Sequence, residues 1–141
     1  MQALIDTNVV LDVLLNRAPF AKDSADVLRL SGGETREYVS ASAITDIYYI
    51  ARKEIGDRTQ AKTLLKRLLQ VVHVAALSER EILAALDSDW PDFEDAVQNA
   101  VAETQGFDAI VTRNPSDFAQ SPLPVYSPQE FLALNRPPSI P

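Results

Sequence analysis

Met1-Gln2-Ala3-Leu4-Ile5-Asp6-Thr7-Asn8-Val9-Val10-Leu11-Asp12 opens the chain and changes character at one residue. Met1–Ile5 is a short apolar run, as a strand buried on both faces requires, and Asp6 closes it. A turn and a helix starting near Thr7–Asn8 are expected to follow. An acid directly after a buried strand is placed for chemistry, whereas Asp12 reads as a solvated helix residue.

The rest of the chain extends this strand-then-helix alternation. Phe20, Ala21, Ser24, Ala25, Val27 and Leu28 fall at helical spacing, and Gly32-Gly33 stops that helix. Arg36–Ser40 is a predicted second strand, with Ser42 as N-cap of a helix carrying Ile44, Ile47, Tyr48 and Ala51 to Gly56. A further helix places Ala61, Leu64, Leu65 and Leu68 on one face. Val71–Ala75 is a third strand; its His73 is expected to be packed or edge-exposed rather than catalytic. Ser78 and Glu81 form a capping box. Asp92–Gly106 is the clearest helix, with Phe93, Ala96, Val97, Ala100, Val101 and Thr104 on one stripe and Asp92 as its cap. Ala109–Thr112 and Pro124–Tyr126 are the fourth and fifth strands, and a short helix runs from Pro128 to Leu134. Strands alternating with helices imply an α/β fold with a mostly parallel sheet covered on both faces.

Composition limits the chemistry. The chain has 141 residues, no cysteine and one histidine. Disulfides, thiolate metal sites, cysteine nucleophiles and histidine pairs are excluded, so acid–base or metal chemistry falls to carboxylates. No apolar run approaches the ~18 residues of a membrane span. No basic region precedes the first apolar stretch, so no secretory signal is expected and a cytoplasmic location is.

Ligands of open parallel sheets bind at the carboxyl ends of the strands, near the point where strand order reverses. Asp6 ends strand one. Asp46 lies in the first turns of the helix after strand two, four residues past Ser42. Asp95 lies in the first turn of the helix before strand four and shares a face with Asn99. Thr112-Arg113-Asn114 ends strand four, with Asp117 three residues on. All four acids are expected at one edge. Two carboxylates about 4 Å apart repel by about 4 kcal/mol at an effective dielectric of 20, so such a cluster needs protons or cations. All-oxygen ligands suit Mg²⁺ and Mn²⁺, which activate water and stabilise charge developing on a phosphoryl group. This meets an objection from net charge. Thirteen Lys and Arg against 20 Asp and Glu give −7, which disfavours polyanion binding, but bound metal reverses the sign of an acidic pocket. Arg52, Lys53, Arg58, Lys62, Lys66 and Arg67 form a basic cluster. They read either as a solvated face or as a rim for RNA backbone, and Arg113 is a second candidate phosphate contact.

These segments resemble a known family. Leu4-Ile5-Asp6-Thr7-Asn8-Val9-Val10-Leu11-Asp12 looks like the opening motif of PIN-domain proteins. Asp92-Phe93-Glu94-Asp95-Ala96, Asp108-Ala109-Ile110-Val111-Thr112-Arg113-Asn114 and Asp117-Phe118 look like its later motifs. The resemblance covers residues 1–134, expected as a single PIN-like domain, with residues 135–141 a loose proline-rich tail. It implies a three-layer α/β/α sandwich with a five-stranded parallel sheet in order 3-2-1-4-5. It also implies an Mg²⁺- or Mn²⁺-dependent ribonuclease, often the toxin of a toxin–antitoxin pair of the VapC type, usually a homodimer inhibited by a small antitoxin protein. Asp6 and Asp95 would be the first and third metal ligands, with Thr7, Asn8 and Thr112 as supports. The chain departs from the pattern twice. The second acid is usually glutamate, and here it is Asp46. The fourth commonly lies two residues after the threonine, where Asn114 stands; Asp117 substitutes, or that ligand is missing. The competing readings are a catalytically decayed binding module and a phosphatase using Asp6 as nucleophile. The latter would want a second acid where Asn8 stands.

Overall fold

The computed structural model describes residues 1–135. The element order is β1 (Gln2–Ile5), α1 (Thr7–Leu14), α2 (Ala21–Arg29), β2 (Arg36–Ser40), α3 (Ala41–Ile55), α4 (Arg58–Leu68) and β3 (His73–Ala75). There follow α5 (Glu79–Leu86), α6 (Phe93–Thr104), β4 (Ala109–Val111), a 3-10 turn (Pro115–Phe118), β5 (Val125–Tyr126) and α7 (Pro128–Leu134). The five strands form one sheet in the order β3-β2-β1-β4-β5, and every pairing is parallel. The expected topology is therefore present. The expected tail lies beyond the described residues from 136 on.

Side-chain alternation along the strands builds the two outer layers. Ala3, Ile5, Val39, Ala109 and Val111 face one way, against Val9, Val10 and Leu11 of α1, Val27 of α2, Ile47 of α3, Leu68 of α4 and Phe131 of α7. Leu4, Ala75 and Ile110 face the other way, against Ala85 of α5, Ala96, Val97 and Val101 of α6, and Phe107 and Phe118. β1 is central, and its Ala3, Leu4 and Ile5 are buried on both faces, which is why that stretch is continuously apolar.

Local signals fix the element ends. Gly56 closes α3 at φ 76°, a conformation that favours glycine. Asp92 caps α6 by accepting from the Asp95 N–H. The Ser78–Glu81 capping box is formed. One expected cap is displaced: α3 begins at Ala41 with Ser40 as its N-cap, and Ser42 instead lies within the first turn, its hydroxyl 2.8 Å from that of Ser40. The helix thus starts directly from the strand end. No helix among the described residues is long and apolar enough to cross a membrane.

β1 has β2 on one side and β4 on the other, so strand order reverses between β1 and β4. The pairing of Ile5 with Val111 sets Asp6 beside Thr112 at this switch point, and the Asp6 N–H donates to the Val111 carbonyl at 2.9 Å.

Candidate active site at the sheet edge

Asp6 serves two structural roles at once. It is the N-cap of α1, its carboxylate Oδ1 accepting from the Thr7 N–H at 2.8 Å. That oxygen also accepts from Gln98 Nε2 at 3.0 Å, and Oδ2 accepts from the Thr112 hydroxyl at 2.9 Å. Strand β1, helix α6 and the end of β4 therefore each contribute to the position of this one carboxylate. Asp6 is only 6% exposed, and the three donors replace the hydration it loses.

An open cavity of about 410 Å³ lies over Asp6, lined by Thr7, Asn8, Asp46, Asp92, Glu94, Asp95, Gln98 and Asp117, with Tyr49 and Ile50 at its apolar side. The four acids expected at one edge, Asp6, Asp46, Asp95 and Asp117, all face it. Asp46 comes from the second turn of α3. Asp95 comes from the first turn of α6, and Asp117 from the 3-10 turn. That turn is held where the Asp117 N–H donates to the Asn114 carbonyl at 2.9 Å and the Asn114 N–H to the Thr112 hydroxyl at 3.1 Å. Thr112 thus connects Asp6 to the segment bearing Asp117.

Crowding of like charge raises the proton affinity of these acids. The Asp95 carboxyl is pushed up to about 7, first by burial and then by Asp92, Asp6, Asp117 and Glu94. Glu94 is also raised, first by burial and then by the nearby charges of Asp46, Asp6 and Asp92. Such a cavity favours whatever positive charge enters it. Its donor set is entirely oxygen, which suits Mg²⁺ or Mn²⁺. Gln98 also lines the cavity, and its Oε1 is buried away from it without a hydrogen-bond partner. Among the described residues no three acidic side chains close tightly around one point. A hydrated Mg²⁺ or Mn²⁺, which keeps several of its waters, would need only one or two of these carboxylates as direct ligands.

Several expectations need correction. Asn99 does not face the cavity. It is buried on the adjoining face of α6, its amide donating to Glu103 at 2.7 Å and its carbonyl accepting from the Ser121 hydroxyl at 2.6 Å. Gln98, one position earlier, takes the role expected of it. Asn114 supplies backbone groups only, as N-cap of the 3-10 turn. Asp12 is not solvated. It is fully buried, with Arg113 Nε 3.0 Å from its Oδ2. The ion pair is in contact but off the hydrogen-bond line, so both Asp12 oxygens lack a hydrogen-bonding partner. Burial raises the Asp12 carboxyl and Arg113 partly offsets this. The Arg113 guanidinium also lies 4.1 Å over the Phe20 ring. It is committed to the interior and is not among the residues lining the acidic cavity. Arg52 and Lys53 stand exposed in the last turn of α3, also outside the cavity lining. His73 is exposed on edge strand β3, its ring 5.5 Å from that of Tyr38.

A family model described as the PIN domain matches residues 2–116 of this chain. The chain belongs to the PIN-domain family. Similarity to individual relatives extends further than that match. Ribonuclease VapC1 from Aquifex aeolicus (strain VF5) is 24% identical over 136 residues, covering 92% of each chain. The VapBC2 complex from Rickettsia felis, solved bound to a DNA fragment from its promoter, contains a chain that superposes with a TM-score of 0.70. Its identity is 15%, over 90% of this PIN domain and 98% of that chain. Mycobacterium tuberculosis VapC20, a sarcin–ricin loop cleaving toxin, superposes with a TM-score of 0.62 at 16% identity, over 77% of this chain and 86% of that one. The fold of this PIN domain is that of VapC toxins, with the acidic cavity at its topological switch point.

Proposed function

We propose that this PIN domain is an Mg²⁺- or Mn²⁺-dependent endoribonuclease, the toxin of a type II toxin–antitoxin pair. One observation carries the reading: Asp6, Asp46, Asp95 and Asp117, from four separate chain segments, face a single cavity at the switch point of a parallel sheet. The similarity to Ribonuclease VapC1 supports the choice of RNA. A VapBC complex and a Klebsiella pneumoniae toxin–antitoxin complex among the structural neighbours support an antitoxin partner.

Asp6, Asp95, Asp46 and Asp117 would hold the metal. Bound there, it would supply a nucleophile from water at neutral pH and neutralise charge developing on the phosphate. The chain's own part is positioning. Thr112, Gln98 and the Thr7 N–H fix the Asp6 carboxylate so that binding requires no reorganisation. Asp95, its carboxyl pushed up to about 7, would give up any proton it holds in order to bind a cation. Asn8 lines the cavity as a neutral polar contact. Arg52 and Lys53 remain candidates for RNA backbone contact, one to two turns along α3 from Asp46. A homodimer and a cytoplasmic location belong to the same proposal.

The test is cleavage of single-stranded RNA by the purified chain. Mg²⁺ or Mn²⁺ should support cleavage and EDTA should stop it, leaving 5′-phosphate and 3′-hydroxyl ends. Asp6→Asn and Asp95→Asn should each abolish activity with the circular dichroism spectrum unchanged. Undiminished cleavage by Asp6→Asn would refute the assignment. Mn²⁺ binding without cleavage of any RNA would favour the decayed binding module, a reading motivated by the short second acid Asp46 and by Asn114.

A further inference from the structure

Arg113 follows Thr112 just past β4, and neither its N–H nor its carbonyl joins a backbone hydrogen bond among the described residues. The last sheet bond of this stretch is one residue earlier, where the Thr112 N–H donates to the Tyr126 carbonyl at 2.9 Å. Yet the segment leaving the sheet here sets two acids of the cavity. The Thr112 hydroxyl donates to Asp6 Oδ2 at 2.9 Å and accepts from the Asn114 N–H at 3.1 Å. Asn114 in turn starts the 3-10 turn that carries Asp117. What holds Arg113 is its side chain. Its Nε lies 3.0 Å from Asp12 Oδ2, and the guanidinium rests on Phe20, 4.1 Å from the ring centroid. Asp12 belongs to α1, the helix that Asp6 caps. Two successive residues past β4 therefore reach two acids of one helix and its cap. Arg17 is the other cation near Asp12, but its guanidinium pairs with Glu54 of α3 at 2.9 Å.

Stability is the ordinary explanation for such a pair, and a weak one here. Desolvation of two charges outweighs their attraction unless further hydrogen bonds complete them, and apolar side chains often serve as well or better. Both Asp12 oxygens and Arg113 Nε lack a hydrogen-bond partner. What apolar chains would not supply is a fixed direction. We propose that Arg113, held by Asp12, is a positioning residue for the acidic site: the pair locks the main chain beyond β4 against α1, so that the Thr112 hydroxyl meets Asp6 in one orientation and the turn bearing Asp117 stays at the cavity. The inference rests on the nuclease reading above. It makes Arg113 a determinant of rate and not of RNA binding.

RNA cleavage by paired variants tests this. Asp12→Leu with Arg113→Met replaces the pair by apolar chains of comparable combined volume and should keep the Tm of wild type. It should lower kcat about tenfold or more and leave KM for RNA within about twofold. Asp12→Asn alone, equal in size and uncharged, should show the same split in milder form. Because the pair acts through Thr112, adding Thr112→Val to the double variant should bring the rate no lower than Thr112→Val alone, within about threefold. A folded double variant with the wild-type kcat would overturn the proposal. So would a Thr112→Val loss that multiplies with the loss from the pair. A raised KM with kcat unchanged would overturn it too and return Arg113 to a phosphate contact. Should the double variant not fold, the same cycle on Asp12→Asn decides by the same outcomes. Failure of wild type to cleave RNA with either metal would remove the nuclease reading itself, and this inference with it.

Discussion

Asp6 and Glu37 belong to neighbouring strands of one sheet, both hidden from solvent, and the chain surrounds them in opposite ways. Asp6 stands just past the carboxyl end of β1 and accepts three hydrogen bonds, from Thr7, Gln98 and Thr112. Glu37 stands near the start of β2, opposite Ala3, fully buried with neither carboxyl oxygen partnered. Burial alone pushes Glu37 up to about 8, so at neutral pH it is a carboxylic acid inside an apolar layer. Depth in the fold thus does not separate a chemically useful acid from an inert one. Donors and an opening do, and the parallel sheet supplies both only at its carboxyl edge, where helix N-termini and strand ends meet.

The contrast can be broken at either residue. The largest effect is expected at Asp6. Asp6→Asn should lower RNA cleavage at least a thousandfold, on the scale of about 4 kcal/mol of lost transition-state stabilisation, whereas Glu37→Gln should leave the rate as it is. Cleavage that falls equally in both variants would dissolve the distinction.

The next effect is on stability and belongs to Glu37. Between its ordinary 4.5 and its raised value near 8, the folded chain keeps a proton there that the unfolded chain releases. The stability this contributes is complete below the unfolded value and is lost as pH rises through 8. The slope approaches about 1.4 kcal/mol per pH unit when only the folded state is protonated. Urea unfolding from pH 5 to 9 should show wild type weakening with pH relative to Glu37→Gln, by a few kcal/mol at the alkaline end. Parallel profiles would mean that Glu37 has found a partner.

Smaller effects sharpen the Asp6 half. Thr112→Val removes one of its three donors and should cost about 10–100-fold in activity, with little change in Tm. Smallest is the joint change Arg52→Gln and Lys53→Gln. It should raise KM for RNA a few-fold and flatten its salt dependence by about one to two units of slope, leaving kcat alone. Unchanged KM and salt slope would return both residues to a solvated helix face.

Much of this contrast could be read in advance. The apolar run ending at Asp6 marked the central strand, and the convergence of four acids followed from strand and helix ends alone. Other features were lost where two side chains answer each other across the fold. Asp12 and Arg113 each look like surface charges, yet they pair with Asp12 fully buried, and no local pattern reveals that. Gln98 and Asn99 differ by one helical step of about 100° from a common expectation. A face drawn from Asp95 at i+4 chose Asn99, and the actual contact is at i+3. Glu94 was concealed by a good ordinary reason for an acid at a helix start. Glu37 did leave a trace: it is in phase with Val39 along β2, and period-two alternation directs both to the same apolar layer.

Thermal unfolding against Mn²⁺, for wild type and Asp95→Asn, tests the metal-binding edge most directly. Binding confined to the folded state adds RT ln(1+[L]/Kd), about 2.7 kcal/mol at a hundredfold excess over Kd. Wild type should show a saturable rise in Tm that Asp95→Asn loses, while the metal-free variant is at least as stable as metal-free wild type because one member of the crowded acid group is gone. A wild-type Tm indifferent to Mn²⁺, or an equal rise in both proteins, would contradict the account.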